Sequence, residues 1–246
     1  MSFENILFVG ATGLVAGVLS GMSGGGGGML MIPAFIAIGL PPQNAVATGK
    51  MNGLGATVGG LSVFARSGHI RRDIVKVMAP IAVVIGLALP FVFSKIDSEV
   101  FQRLIGFVIL LLIPMLFLKK KAQEHHSKAR KKIGYILYSG ILAMQALFGS
   151  GVGSLANFIL VLLFGTSRIE ANATKRAITA VLIPITFTAL LIGGYVNLVI
   201  GFVGMVSMFV GTHYGSKIAI AKGELFATYS LAFVASLSAL FLIFSA

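Results

Sequence analysis

Two clusters of glycine with neighbouring serines are the parts of this chain best suited to bind a ligand. The first reads S-G-G-G-G-G-M-L from Ser23, and the second reads G-S-G-V-G-S-L-A from Gly149. Glycine lets the backbone turn sharply and leaves amide N–H groups uncovered. If helices begin at about Met29 and at about Ser154, both point their positive N-terminal ends at the glycines. Two such ends make a binding site for an anion without any charged side chain.

Hydroxyl and basic side chains follow each cluster at matching positions. They are Thr48 and Lys50 after the first cluster, and Thr174, Lys175 and Arg176 after the second. Each set lies about a turn inside an apolar segment, where ionisable groups are costly and mark functional sites. We expect Lys50 and Arg176 to counter the charge of an anion, and Thr48 and Thr174 to donate hydroxyl hydrogen bonds. Snorkelling to the membrane surface is the alternative, and at least one of Lys175 and Arg176, about 100° apart, is expected to snorkel.

The predicted binding site combines the backbone of both clusters with these side chains. Its members are Ser23, Gly25, Gly26, Gly27, Thr48, Lys50, Ser150, Gly151, Gly153, Ser154, Thr174 and Arg176. Close packing of helices is the alternative explanation for the glycines. His213, in a later apolar run, is a candidate proton carrier, with a hydrogen-bonded structural histidine as the alternative interpretation.

The two clusters belong to a repeat that extends through the chain. The residues around Gly25 match those 126 positions later, and the match continues without a gap to residues 67–70 against 193–196. A hydrophobic pattern that is duplicated and broken by glycine in each half is typical of membrane transporters. In such proteins the substrate site lies between the repeats.

The composition indicates that the chain lies in a lipid bilayer. Of its 246 residues, 57% are apolar and 11% are charged, which is more apolar surface than a soluble domain hides. The seven acids all lie at segment ends or in loops. The net charge of +12 comes from Lys and Arg in loops, as membrane topology requires, so nucleic acid is not an expected partner. The absence of cysteine excludes disulfides, thiolate metal sites and cysteine nucleophiles.

Each half contains five apolar segments that we predict to be helical. They cover about 5–20, 29–40, 44–65, 74–94 and 100–118 in the first half, and about 133–148, 154–165, 171–192, 198–216 and 225–245 in the second. The last three of each half approach the ~20 residues that a spanning helix needs, whereas the first two form a hairpin with a glycine-rich tip. The predicted fold is an all-α integral membrane protein. Its first repeat is 1–118, its polybasic linker is 119–132, and its second repeat is 133–246.

Charge bias gives the two repeats opposite orientations. The linker 119–132 and the basic loop 66–72 are assigned to the cytoplasm, where Lys and Arg concentrate. The equivalent loop of the second half, 193–197, carries no charge and is assigned to the outside. An odd number of segments per half inverts the second copy independently. The sequence therefore predicts inverted repeats whose glycine-broken hairpins meet near the midplane, with both termini external.

Small-residue motifs predict tight contacts between helices. Gly13, Gly17 and Gly21 form a doubled G-x-x-x-G, and Gly211 with Gly215 forms another. The pattern leaves open whether these contacts lie within one chain or between two copies in a homodimer. The first glycine run also satisfies G-x-G-x-x-G, but no strand–helix unit or acidic partner follows, so no nucleotide cofactor is expected. No metal site is predicted either.

The quoted motifs resemble those of a known family. S-G-M-S-G-G-G-G-G-M-L-M-I-P with G-L-P-P-x-x-A-V-A-T, and G-S-G-V-G-S-L-A-N with A-N-A-T-K-R-A, resemble the TauE/SafE family, also called the sulfite exporter or TSUP family. The resemblance covers essentially the whole chain. It implies a multi-pass protein of the inner (plasma) membrane that exports small sulfur-containing anions, such as sulfite or organosulfonates like sulfoacetate. By position, the family's glycine motifs fall on Gly25, Gly27, Gly151 and Gly153.

The function predicted from these observations is secondary transport of a small oxyanion of sulfur, with one repeat rocking against the other. The alternative is a passive anion channel with the same polar core. A membrane enzyme is not expected, because the spans contain no cysteine and no constellation of histidine with carboxylates. A cation carrier is not expected, since intramembrane carboxylates are missing from the sequence. The expected partners are the anion and the lipid bilayer.

Overall fold

The computed structural model of the protein describes residues 2–25, 27–93, 128–149 and 152–222, with separate positions at 95, 97, 99–100, 103–104 and 107. This part of the chain is helical with short turns, and the predicted all-α class is confirmed. The predicted segments 100–118 and 225–245 and linker residues 119–127 lie mostly or wholly outside the described residues. The helices are α1 (Phe3–Ser23), α2 (Gly27–Ala37), α3 (Pro42–Phe64), α4 (Arg72–Phe93), α5 (Lys128–Phe148), α6 (Gly153–Phe164), α7 (Arg168–Ile192) and α8 (Leu198–Lys222).

The starts of the helices follow the spacing of the sequence repeat. Helices α2, α3 and α4 each have a counterpart, α6, α7 and α8, that begins 126 residues later. The loops that end these helices therefore recur at the same positions in both halves. Helix α5 begins at Lys128, so residues 128–132, which the sequence assigns to the linker, form its first turn.

Helices α1, α3 and α8 run in the same direction. Gly17 lies against Gly211, and four residues later Gly21 lies against Gly215, so α1 and α8 are parallel. Along the other side of α8, Met51 of α3 lies against Gly201 and Ser62 lies against His213. The G-x-x-x-G contacts of α1 with α8 are thus made within one chain.

Helix α7 runs against α3 in the opposite direction. A Cβ placed on Gly53 would lie 3.3 Å from Ile183 Cδ1, whereas Arg176 Nη1 donates to the carbonyl of Ala56 over 2.8 Å. Later residues of α3 therefore contact earlier residues of α7, as in antiparallel helices. Helix α4 packs against α7, with Gly86 facing Ile185.

Helices α1 and α8 pack more closely against each other than α4 and α5 do. Glycines bring the backbones of α1 and α8 into contact, whereas an open apolar cavity of about 150 Å³ lies between α4 and α5. Its lining residues are Ile85, Ala88, Val92, Ala143, Ala146 and Leu147. Ala143 is the repeat counterpart of Gly17, so a side chain stands where the first half has none.

The outer surface is apolar, as a membrane environment requires. Three helices of the described chain are long and apolar enough to cross a bilayer, namely Phe3–Ser23, Arg168–Ile192 and Leu198–Ala221. Ile192 is 82% exposed and Val84 is 68% exposed, and lipid rather than water is the solvent suited to such side chains. Several polar side chains, in contrast, are buried inside the helix assembly.

A capping box fixes the start of α7, the helix that carries Thr174, Lys175 and Arg176. The Ser167 hydroxyl accepts from the Glu170 N–H over 3.2 Å, and the Glu170 carboxylate accepts from the Ser167 N–H over 2.7 Å. We expect Ser167→Ala to lower the free energy of unfolding in detergent by about 1 kcal/mol. The control is Ser139→Ala, because the hydroxyl of Ser139 donates back to the carbonyl of Tyr135 within α5 and does not cap a helix start in the described structure. Equal stability of the two variants would contradict the role of the capping box.

Candidate functional site

The first glycine break is a left-handed turn between α1 and α2. Helix α1 ends at Ser23, and Gly24 has a φ of 80°, a conformation that favours glycine. The Gly24 N–H donates to the carbonyl of Ser20 over 3.1 Å. Helix α2 begins at Gly27, two residues before the predicted start at Met29. A helix N-terminus therefore follows the break directly.

The second glycine break has the same construction. Helix α5 ends at Phe148, Gly149 has a φ of 86°, and its N–H donates to the carbonyl of Gln145 over 3.0 Å. Helix α6 begins at Gly153, one residue before the predicted start. Three predicted site residues lie outside the described residues, namely Gly26, Ser150 and Gly151. Ser154 is described by its backbone, as the second residue of α6.

Each break contacts the second arm of the other hairpin. The carbonyl of Gly24 accepts from Asn157 Nδ2 of α6 over 2.8 Å. In return, a Cβ placed on Gly149 would lie 3.0 Å from Ile32 Cδ1 of α2. The two breaks therefore lie near each other, between the α1–α2 hairpin and the α5–α6 hairpin.

The predicted side chain Ser23 faces back onto its own break. Its Oγ lies 2.7 Å from the carbonyl oxygens of Leu19 and Gly25, and the residue is buried. A hydroxyl has a single hydrogen to donate, so one of these carbonyls can be served at a time. Ser23 thereby helps to hold the turn that leads into α2.

Lys50 lies at the carboxyl end of α5. Its Nζ donates to the carbonyls of Gln145 over 2.7 Å and of Ala146 over 2.6 Å, and the side chain is buried. These carbonyls are in the last turn of α5, where the helix dipole presents partial negative charge. Lys50 of the first half therefore caps the helix that precedes the second break.

Arg176 caps the helix that precedes the first break. Its Nη2 donates to the carbonyl of Ser20 over 2.9 Å, in the last turn of α1. Its Nε donates to Asn172 Oδ1 over 3.0 Å, and its side chain is buried. The predicted snorkelling of Lys175 or Arg176 is wrong, because both are no more than 5% exposed and donate to carbonyls inside the protein. Carbonyls of helix ends provide a nearer partner than water does.

The two caps are related to each other by the sequence repeat. Lys50 donates to Ala146 and Arg176 donates to Ser20; both the donors and the acceptors are 126 residues apart. Reciprocal hydrogen bonds between equivalent donors and equivalent acceptors are characteristic of a two-fold relation. Each half of the chain therefore holds the hairpin of the other half by a buried cation.

Thr48 and Thr174 form a second reciprocal pair. The Thr48 hydroxyl accepts from the Asn197 N–H, and the Thr174 hydroxyl accepts from the Arg71 N–H, both over 3.0 Å. These contacts lie at the starts of α8 and α4, whereas Lys50 and Arg176 contact the ends of α5 and α1. A hydroxyl that accepts one hydrogen bond can still donate its own hydrogen to another partner. Arg71 itself lies before the start of α4, outside the spans, and the hydrogen bond that its guanidinium donates to the Asp73 carboxylate raises its pKa.

Lys175 contacts both glycine breaks. Its Nζ donates to the carbonyl of Gly24, and a Cβ placed on Gly153 would lie 2.9 Å from the same nitrogen. Lys175 is not among the residues of the predicted binding site, because its side chain is about 100° from that of Arg176 around a helix. The signal that marks it is the departure from the repeat, since its counterpart in the first half is Gly49.

Two buried amide oxygens near these cations have no hydrogen-bond partner among the residues that the structure describes. They are Asn157 Oδ1, beside the first break, and Gln145 Oε1, beside Lys50. A cavity of about 10 Å³, the room of one water molecule, adjoins Lys50 and Gln145. Its other lining residues are Gly49, Gly53, Leu182, Ile183 and Thr186. The surroundings of the breaks thus include polar groups that a small ligand or water could engage.

His213 lies apart from the two breaks, between α8 and α3. Its Nδ1 lies 2.7 Å from Ser62 Oγ, and its ring stacks on Phe209 with centroids 6.4 Å apart. These contacts agree with the interpretation of a structural histidine, and proton transfer by His213 stays a prediction. Within the described ranges, no three His, Asp or Glu side chains are grouped so that they could hold a metal ion.

Comparison with known proteins gives consistent results along the chain. The sequence model of the family described as "Sulfite exporter TauE/SafE" matches residues 9–242. A "Probable membrane transporter protein" of Haemophilus influenzae is 30% identical over 228 residues, covering 89% of this chain and 86% of the relative. "Probable membrane transporter protein YfcA" of Escherichia coli is 24% identical, covering 86% of this chain and 79% of the relative. No solved structure matches significantly.

Proposed function

This chain belongs to the sulfite exporter TauE/SafE family, and from that premise we propose that it exports a small sulfur-containing anion across the inner membrane by secondary transport. Membership makes it a multi-pass membrane transporter. The anion that we propose is sulfite or an organosulfonate such as sulfoacetate. The observation that carries the proposal is the burial of Lys50, Lys175 and Arg176 beside the two glycine breaks, after which α2 and α6 begin.

The proposed substrate site lies between the two glycine breaks. Backbone N–H groups at the starts of α2, from Gly27, and of α6, from Gly153, bind the oxyanion, because the first N–H groups of a helix have no partner within the helix and lie at its positive dipole end. The Ser23 hydroxyl holds the first turn in place, and Ser150 of the second cluster, which lies outside the described residues, is proposed from the sequence to supply a hydroxyl group. Lys50 and Arg176 balance the charge from the helix ends that precede the breaks, and the hydrogens of Thr48 and Thr174 remain for donation.

The proposed orientation places the basic ends of the helices in the cytoplasm. Helices α3 and α8 are parallel, and α3 ends beside Arg66 and α8 beside Lys217 and Lys222. Helix α7 runs antiparallel to α3 and begins at Arg168, so its basic end lies on the same side. Positive residues concentrate on the cytoplasmic side of membrane proteins. The first residues of α1 are then external, as the sequence predicts.

The proposed transport cycle is a rocking movement of one helix group against the other. Helices α1, α3 and α8 form a group joined through glycine contacts, and α4, α5 and α7 form the other. The breaks lie between the groups, so a relative tilt exposes the substrate to one side or the other. The cavity between α4 and α5 offers room for repacking during this movement.

Flux into proteoliposomes tests the proposed function. We expect purified protein to carry sulfite or sulfoacetate down a gradient, with saturation at high substrate concentration, because a transporter must bind its cargo in each cycle. Empty liposomes are the control. Current that rises linearly with voltage, without saturation, would instead indicate the passive channel. No movement of any sulfur oxyanion would contradict the proposal.

A further inference from the structure

The two buried cations that cap equivalent helices differ in one chemical property. Lys50 and Arg176 occupy equivalent repeat positions, and each donates to a carbonyl in the last turn of the helix before the opposite break. A guanidinium keeps its proton in proteins, whereas the ammonium of a buried lysine can release one. The repeat therefore places a fixed charge in one half of the chain and a charge that can be removed in the other.

The hydrogen bonds of Lys50 use two of its three ammonium hydrogens. Its Nζ donates to the carbonyls of Gln145 over 2.7 Å and of Ala146 over 2.6 Å, and it makes no further hydrogen bond within the described ranges. A neutral amine still has two hydrogens to donate, together with a lone pair. Both carbonyls can therefore keep their donor when the third hydrogen leaves as a proton, so the cap of α5 is compatible with either charge state.

The small cavity beside Lys50 provides an acceptor for this third hydrogen. The cavity, of about 10 Å³, is lined by both Lys50 and Gln145 and has room for one water molecule. Gln145 is 3% exposed, and its Oε1 lacks a hydrogen-bond partner in the described structure. A water in the cavity can accept from Lys50 Nζ and donate to Gln145 Oε1, which satisfies both groups. The cavity is thus the first step of a path for a proton.

No second titratable side chain of the described chain lines this cavity. Helices α2, α3, α5 and α6 contain no Asp or Glu, and Lys50 is the only titratable residue of α3. On the helices packed against α3, the nearest titratable or charged side chains lie about two turns or more along the chain from the level of Lys50. They are Tyr138 on α5, Lys175 and Arg176 on α7, and His213 on α8. The charge of Lys50 therefore responds chiefly to its own proton and to a bound anion.

We propose that Lys50 is the proton carrier of this protein, which takes up a proton when the anion binds and releases it when the anion leaves. This inference rests on the proposed function and deepens it by adding an ion that moves with the substrate. In the release step one N–H bond of the ammonium breaks and its electron pair stays on Nζ. The proton passes to the water of the cavity and on to the solution at the side to which the site is open. Uptake is the reverse step.

The charges decide that proton and anion move in the same direction. A nearby anion favours the charged form of a lysine, and by reciprocity the charged lysine favours binding of the anion. The occupied site therefore holds the ammonium, and the empty site holds the neutral amine. Arg176 stays charged throughout and keeps the first break capped in both states.

Proteoliposomes that enclose a pH-sensitive dye test this proposal, with the membrane potential clamped by potassium and valinomycin. Sulfoacetate is the probe, because carboxyl groups titrate near about 4 and the anion brings no proton of its own at about pH 7. We expect wild-type protein to carry about one proton inward with each sulfoacetate, since one lysine has one proton to release. Lys50→Arg keeps the charge without the release and should lower this ratio at least about fivefold. With sulfite, which carries protons itself, the difference between wild type and Lys50→Arg is the measured quantity.

Gln145→Met provides a second variant if Lys50→Arg does not fold. It removes the side-chain oxygen at the cavity and keeps the backbone carbonyl that Lys50 contacts, so the ratio of protons to sulfoacetate should fall below that of wild type. Lys76→Arg makes the same exchange at an exposed position of α4 and should keep the wild-type ratio. His213→Asn should keep it too, because His213 lies apart from the breaks against Ser62.

The ratio of protons to substrate does not depend on how fast a variant works, so a merely structural role of Lys50 would leave it unchanged. Uptake of sulfoacetate without protons by wild-type protein, or a wild-type ratio in Lys50→Arg, would overturn the inference. A ratio lost in His213→Asn but kept in Lys50→Arg would assign the proton to His213 instead. Failure of wild-type protein to carry sulfoacetate or sulfite at all would contradict the proposed function.

Discussion

Replacing Lys50 and Arg176 together by methionine is expected to reduce anion flux into proteoliposomes at least about a hundredfold. Both side chains are buried, and each donates to carbonyls in the last turn of the helix before the opposite break. A hundredfold loss of flux corresponds to about 3 kcal/mol of interaction with the anion, which is of the size that buried charged contacts contribute. Methionine keeps the apolar stem, so the loss of charge is the main change.

The matched control replaces two exposed cations. Arg72→Met with Lys76→Met removes the same formal charge at the start of α4, where both side chains are exposed, and should leave flux within about twofold. The exchange of Lys50→Arg with Arg176→Lys keeps both charges and should restore most of the flux. Thermal unfolding of each variant separates loss of transport from loss of fold. Unchanged flux in the double methionine variant would show that these residues do not balance the charge of the anion.

The sequence predicted the helices well, because hydrophobic periodicity and glycine punctuation act locally. Eight of the ten predicted segments lie in the described residues, and α2 and α6 begin within two residues of the expected positions. The match of helix starts at 126 residues follows from the repeat itself. The extra first turn of α5 was not predicted, since Lys128 and Arg130 resemble a solvated linker in composition although they are good helix formers.

The contacts of the site residues could not be predicted from spacing alone. The sequence indicates that Lys50 and Arg176 are equivalent, but the carbonyls that they cap belong to the opposite half of the chain. Long-range partners of this kind depend on how α1 and α5 pack, which local patterns do not determine. Snorkelling of Lys175 or Arg176 was expected because the sequence does not show that carbonyls of the opposite half lie within their reach. The sequence did contain a signal for Lys175, because its counterpart in the first half is Gly49, whereas the neighbouring Arg176 has a basic counterpart in Lys50.

The packing of α1 on α8 explains why glycine is needed at positions outside the proposed binding site. A Cβ placed on Gly21 would lie 2.6 Å from the carbonyl oxygen of Thr212 and 2.7 Å from the Ser216 nitrogen, both of which are backbone atoms. No change of rotamer can relieve such a clash, so the helices must move apart. Gly21 also precedes the first break by only three residues. Displacement of α1 would therefore reach the carbonyl of Ser20 that Arg176 caps.

We expect Gly21→Ala to lower the free energy of unfolding by about 2–3 kcal/mol and the unfolding temperature in detergent by about 5 °C or more. The control is Gly140→Ala on α5, where the added methyl meets open space and should be neutral or stabilising. A second comparison is Ala143→Leu, which enlarges a side chain beside the cavity between α4 and α5 and should be tolerated there. If Gly21→Ala were as stable as Gly140→Ala, close backbone contact would not be what joins α1 to α8. The α1, α3 and α8 group could then not serve as a rigid body during transport.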